Sequence, residues 1–140
     1  MPRPTSFRLP EDLLDRLEAE SRSARTSITQ LVSALLDEGL NTRRFPGIVY
    51  RTGPAGRRAG LVGGPDVWEV VRDLAHAPGR GMDRVENLAA ETGLPAASLL
   101  LAADFYAAFP EEVDALIEAN ERAAEEVRRQ AGRREQLLSP

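Results

Sequence analysis

Residues 4–9 alternate with a period of two, placing Thr5, Phe7 and Leu9 on one face and Ser6 and Arg8 on the other. That alternation predicts a short, half-buried strand. Directly after it the apolar spacing changes to three and four. Pro10 opens a helix at a first-turn position where a missing N–H does no harm, and Glu11 and Asp12 suit the positive helix end. Leu13, Leu14, Leu17 and Ala24 supply its apolar stripe. A break is expected at residues 23–26. Ser27-Ile28-Thr29-Gln30 then reads as a capping box, with Ser27 and Gln30 satisfying each other's orphan backbone donors. The second helix turns Ile28, Leu31, Val32 and Leu35 inward, and Gly39 is its expected stop.

From residue 41 to residue 65 the texture shifts to Arg, Gly and Pro. Two strand-like runs, 47–51 and 58–62, flank Gly53-Pro54-Ala55-Gly56, which predicts a hairpin turn. Helices are predicted over 66–77, around Val67, Trp68, Val70, Val71 and Leu74, and over 83–92 and 96–108, separated by Gly93-Leu94-Pro95. Pro110 opens a last helix reaching to Leu138, about 40 Å long at 1.5 Å per residue. Its stripe of Val113, Leu116, Ile117, Asn120, Ala123, Ala124, Val127 and Ala131 outruns the small domain before it.

Charge sharpens this division. Residues 1–60 hold ten arginines against seven acids, and residues 61–140 hold eight against fifteen, so the net −4 divides into +3 and −7. A basic front and an acidic rear predict two different partners. Lysine is absent, and arginine suits phosphate and guanine recognition. With no cysteine there is no disulfide framework or thiolate metal site, and no apolar run reaches the roughly 18 residues of a membrane span. The expectation is a cytoplasmic protein that needs no cofactor or metal and is not an enzyme. His76 has no triad or metal box beside it, and Glu111-Glu112 and Glu125-Glu126 lie on expected exposed helix faces. Gly60 to Gly64 lacks the Gly-Lys-Ser/Thr of a phosphate loop.

A lone strand leaves its backbone groups without partners. It either joins the 47–62 hairpin of its own chain or pairs with the same strand of a second chain. The second arrangement is a two-stranded ribbon over a shared four-helix core, a ribbon that fits the DNA major groove and from which arginine donates a bidentate pair to guanine.

Residues 4–40 resemble the ribbon-helix-helix family of CopG, Arc and MetJ. The likeness rests on Ser6-Phe7-Arg8-Leu9-Pro10-Glu11, the Leu13/Leu14/Leu17 stripe, and Thr26-Ser27 opening the second helix. The resemblance implies a homodimer or higher even oligomer on double-stranded operator DNA. Ser6, Arg8 and Arg3 become base readers, and backbone amides at Ser27 and Ile28 become a phosphate clamp. Phe7, Leu9, Leu13, Leu17, Leu31 and Leu35 become the dimer core. Pro4 stands where family members often carry a polar reader. Arg43, Arg44, Arg57 and Arg58, together with Arg51, are candidates for contacts to the DNA backbone.

Residues 83–108 have a helix-turn-helix outline. Ala96, Ala97, Ser98 and the Leu99-Leu100-Leu101 run suit burial or a protein contact better than DNA. The segment 44–117 resembles the small helical domain of unknown function on bacterial antitoxins paired with PIN-like toxins. The resemblance rests on the hairpin, Val67-Trp68-Glu69-Val70-Val71, and the Ala107-Ala108-Phe109-Pro110-Glu111-Glu112-Val113-Asp114 junction. Gly63-Gly64-Pro65-Asp66 replaces the Gly-Thr-Arg-Ile-like start of the family's first helix. It implies a toxin partner, and the C-terminal stripe, with Val113, Leu116, Ile117 and Val127, either grips that partner or packs back on the chain's own dimer.

The expected fold is mostly α. It has a ribbon-helix-helix over 1–42, a hairpin plus small helical domain over 43–109, and an amphipathic C-terminal helix over 110–140. The expected function is an autoregulating antitoxin repressor. Alternatives are a stand-alone ribbon-helix-helix regulator, or an interaction module in which 4–9 pairs with the hairpin and no DNA is bound.

Overall fold

The computed structural model describes residues 1–54 and 56–140, so Ala55, inside the expected hairpin turn, lies outside the described residues. The chain forms two compact units, Met1–Arg44 and Phe45–Pro140. Its described elements are α1 (Glu11–Ala24), α2 (Ile28–Arg44), β1 (Ile48–Gly53), β2 (Gly56–Leu61), α3 (Val67–His76), α4 (Met82–Thr92), α5 (Ala96–Ala108) and α6 (Pro110–Leu138). The architecture is mostly helical with one small antiparallel sheet.

In the first unit α1 packs on α2. Pro10 is the N-cap rather than the first helical residue, and its carbonyl accepts from the Leu14 N–H at 3.0 Å. The break falls at Arg25, in the left-handed region at φ 53°. There the Thr26 N–H reaches the Ser21 carbonyl at 3.1 Å, and the Ser21 hydroxyl donates to the Thr26 carbonyl at 2.5 Å. The capping box at α2 forms by half. Ser27 Oγ accepts from the Gln30 N–H at 3.1 Å, but the Gln30 side chain accepts from the Thr26 hydroxyl at 3.0 Å instead of returning to Ser27.

Two expectations for this unit are corrected. Gly39 does not stop α2, which continues to Arg44. One glycine costs a helix only about 1 kcal/mol, and the flanking residues are good helix formers. Residues 4–9 form no strand in a single chain and do not join the hairpin. Among the described residues the sheet consists of β1 and β2 alone. A segment without a partner strand leaves its backbone to water.

The second unit has a complete core. β1 and β2 pair in register from Ile48 opposite Leu61 to Gly53 opposite Gly56, two residues longer at the turn than the 47–51 and 58–62 runs suggest. Ile48, Ala59 and Leu61 turn inward from the hairpin. They meet Val67 and Val70 of α3, Val85 and Leu88 of α4, Leu99, Ala102 and Phe105 of α5, and Val113 of α6. Phe105 is fully buried, with the Phe45 ring edge-on at 5.5 Å and the Phe109 ring at 4.9 Å. Each such side chain contributes roughly 1.5–3 kcal/mol by leaving water.

The joints of this unit are locally specified. Asp66 and Glu69 form a reciprocal capping box on α3. Arg84 donates to the Leu74, Ala75 and Gly79 carbonyls at 3.3, 3.0 and 3.1 Å, satisfying the C-terminal end of α3. Gly93 closes α4 at φ 75°, and Pro110 stands in the first turn of α6. No helix among the described residues is long and apolar enough to cross a membrane.

Candidate nucleic-acid interface

The expected base readers Arg3, Ser6 and Arg8 lie on an exposed segment that is neither helix nor strand, and so do Phe7 and Leu9. Phe7 is 76% exposed, so both faces of the segment meet water in a single chain. Of the expected dimer core, Leu17 is buried, Leu13 and Leu31 are half-buried, and Leu35 is exposed. Leu14, Ile28, Leu36 and Leu40 add to the uncovered apolar surface. Ser27 and Ile28 stand at the N-terminus of α2, where first-turn amides suit an anion. Arg43 and Arg44 are in the last turn of α2 rather than in a loop.

The unit boundary also revises the charge argument. Met1–Arg44 holds seven arginines and seven acids, so the basic excess of the front half belongs to the hairpin. What remains basic in the first unit is local. Residues 1–10 carry Arg3 and Arg8 and no acid, and α2 ends on two arginines.

The hairpin arginines are largely committed elsewhere. Arg51 and Arg58 face each other across the strands, a like-charge pair that would ordinarily destabilise the sheet. Buried Asp66 neutralises both. Arg51 Nη1 lies 2.7 Å from Oδ1, and Arg58 Nε donates to Oδ2. Arg51 Nη2 also donates to the Gly64 carbonyl at 2.9 Å and to the Leu61 carbonyl. Two glycines make room, since a Cβ at Gly60 would lie 2.2 Å from Arg51 Nη1 and one at Gly53 would lie 1.6 Å from Arg58 Nη1. Arg58, expected on the DNA backbone, is therefore a structural residue, because its charge is used to bind the hairpin to the start of α3. Arg57 is exposed and donates to Thr52 Oγ1 at 3.0 Å.

Sequence reasoning passed over Asp66 as the centre of this clamp. A readable signal was present in Asp66-Val67-Trp68-Glu69, a capping pattern, and in the glycines diagonal to the arginines.

The expected partner-binding stripe is also redistributed. Val113 is 1% exposed and belongs to the unit's own core, which corrects its assignment to a partner, because Phe105 and Phe109 precede it and the start of α6 closes the core. Ile117 packs partly against that core, Leu116 is half-buried, and Val127 is exposed. Leu116 lines a groove of about 580 Å³ with Trp68, Pro54, Ala119, Asn120 and Ala123.

His76 is exposed, with Nδ1 2.8 Å from the Arg72 carbonyl oxygen. Among the described residues no group of three His, Cys, Asp or Glu side chains is placed to hold a metal. No protein-family model, curated protein or solved structure matches the chain.

Proposed function

We propose that the chain is a sequence-specific DNA-binding repressor that works as a ribbon-helix-helix dimer through its first unit. The observation that carries this reading is the uncovered apolar surface of Met1–Arg44. Leu17 is its buried apolar side chain among the described residues, while Phe7, Leu9, Leu35, Leu36 and Leu40 lie exposed. A unit of this size rarely holds a core by itself, and a second copy is the economical cover. Pairing residues 4–9 across a two-fold axis turns Phe7 and Leu9 inward and Ser6 and Arg8 outward together, because side chains alternate along a strand. The outward set from two chains then enters a major groove, with Arg3 at its margin and α2 N-termini against phosphates.

A toxin-neutralising role for the second unit goes with this reading. It is favoured by that unit's eleven arginines against fifteen acids, a surface that attracts a basic partner rather than a phosphate backbone. The product of an adjacent gene is the partner to try.

Titration of labelled operator fragments tests the DNA reading. Arg8→Ala is expected to cost on the order of 1–3 kcal/mol per lost guanine contact and to relax the preferred sequence. Arg43→Ala should weaken all sequences alike and flatten the salt dependence. Equal, sequence-blind losses from the two changes would remove Arg8 from the reading face.

A further inference from the structure

α6 is longer than the unit that anchors it. At 1.5 Å per residue its 29 residues span about 43 Å, and its contacts with other elements run to α3 and α5. Along it, residues 113, 117, 120, 124, 127, 131, 134 and 138 alternate steps of four and three, the spacing of a coiled-coil seam. Val113 and Ile117 spend the start of that seam on the unit's own core. Farther along, Ala124 is half-buried but Val127 is exposed, as is Leu138 at 71% with its neighbour Leu137 at 83%. Leu116, Ala119 and Ala123, with Trp68 from α3, meanwhile form the apolar side of the 580 Å³ groove, whose other side holds the clamp residues Arg51, Arg58, Asp66 and Glu69.

Charge selects what covers this surface. Between Pro110 and Glu121 the helix carries five acids and no arginine. From Arg122 to Leu138 it carries five arginines against three acids. A helix acidic in one half and basic in the other complements its own reversed copy, which is the condition for an isologous two-fold contact. Reversal also opposes the two helix dipoles.

We infer that α6 docks antiparallel on α6 of a second copy of this chain, with Leu137 and Leu138 of each copy seated in the groove of the other. Charge and apolar pairings place the two-fold axis within about one residue of Glu126. Setting Glu118 opposite Arg133 of the second copy does so, as does setting Leu116 level with Leu137. The same axis brings the two polar seam positions, Asn120 and Arg134, opposite each other, and a polar layer of this kind fixes register. The toxin reading leaves the same surface to a different protein, so the two occupants compete. The inference does not depend on DNA reading.

The experiment uses the full chain carrying Phe7→Ala, so that the N-terminal ribbon does not hold copies together. Light scattering is expected to report a dimer. Adding Glu118→Arg and Glu121→Arg should weaken it at least tenfold, and adding Arg133→Glu and Arg134→Glu on top should restore it. The absence of native cysteine allows a second measurement in the unaltered background. Val127→Cys, close to the axis, should form a disulfide-linked dimer on mild oxidation, and Leu137→Cys should not. A monomeric Phe7→Ala protein overturns the pairing, whether or not the native chain binds DNA. So does efficient cross-linking at both positions, which indicates parallel helices, or at neither. Capture of monomeric Phe7→Ala protein by the adjacent gene product through α6 also overturns it and assigns the surface to that partner.

Discussion

Met1–Arg44 and Phe45–Pro140 are both built from helices with apolar stripes, yet only the second closes a core of its own, leaving the distal stripe of α6 in water. In the second unit Leu99, Ala102 and Phe105 are fully buried, with α3, α4, α6 and the hairpin around them. In the first unit α1 packs on α2 and leaves Leu35, Leu36 and Leu40 in water. The difference lies in the number of layers and not in hydrophobicity. A helix pair offers each stripe one neighbour, whereas α5 packs against α3, α4, α6 and β2. An incomplete core of this kind calls for a second chain, while a complete one leaves its surface for other work.

Two phenylalanines break or sharpen the contrast most strongly. Phe105→Ala should cost about 3–5 kcal/mol and unfold the second unit, because the ring has no exposed surface to forfeit. Phe7→Ala tests the first unit. For an isolated chain, a side chain this exposed should change stability by no more than about 0.5 kcal/mol. In the ribbon dimer the same change should cost roughly 3–5 kcal/mol and open the ribbon, while the α6 contact keeps the two copies together. Urea unfolding followed at several protein concentrations separates the two cases. A small, concentration-independent effect of Phe7→Ala would make the first unit self-sufficient.

A middle-sized effect is expected at the clamp. Asp66→Asn leaves Arg51 and Arg58 facing each other without a counter-charge and should cost about 2–3 kcal/mol. That is less than for a fully buried pair, because the arginines keep 31% and 27% of their side-chain exposure. The loss should be confined to the second unit and reduced in Asp66→Asn/Arg58→Ala, where the repulsion is gone. An undiminished loss in the double variant would mean that relief of the Arg51–Arg58 repulsion is not what Asp66 supplies, since Asn caps a helix about as well as Asp.

The smallest effect concerns pH. The Tyr106 hydroxyl donates to Asp114 at 3.1 Å. That hydrogen bond first, the carboxylate charge second and desolvation third raise Tyr106 above its ordinary value of 10.0. A folded-state value above the unfolded one gives a contribution that is present below the unfolded pKa and lost as pH rises through the folded one. Tyr106→Phe should therefore unfold at a midpoint that approaches the native protein's as the solution passes above about pH 10. A gap between the two proteins that is the same on both sides of that pH would deny the hydroxyl–carboxylate coupling.

Much of the second unit could be read locally. The end of α4 and the start of α5 follow from Gly93-Leu94-Pro95, and the start of α6 follows from Pro110, because glycine and proline act through the backbone of their own residue whatever packs nearby. The break before α2 was legible for the same reason, in Thr26 and Ser27 and their cap. Gly39 misled, since a glycine ends a helix only where the chain has cause to leave it.

What tertiary structure alone decided are relations across long separations. Asp66 meets Arg58 eight residues away and Arg51 fifteen away only because the hairpin register sets the two arginines side by side and the turn after β2 brings α3 back to them. Nothing in the spacing of those three residues distinguishes a clamp from three solvated charges. Val113 and Val127 share one helical stripe and read alike in sequence. One is core and the other exposed because the neighbouring elements end partway along α6. Periodicity tells which side of a helix seeks cover. How far that cover extends is set by the size of what packs against it.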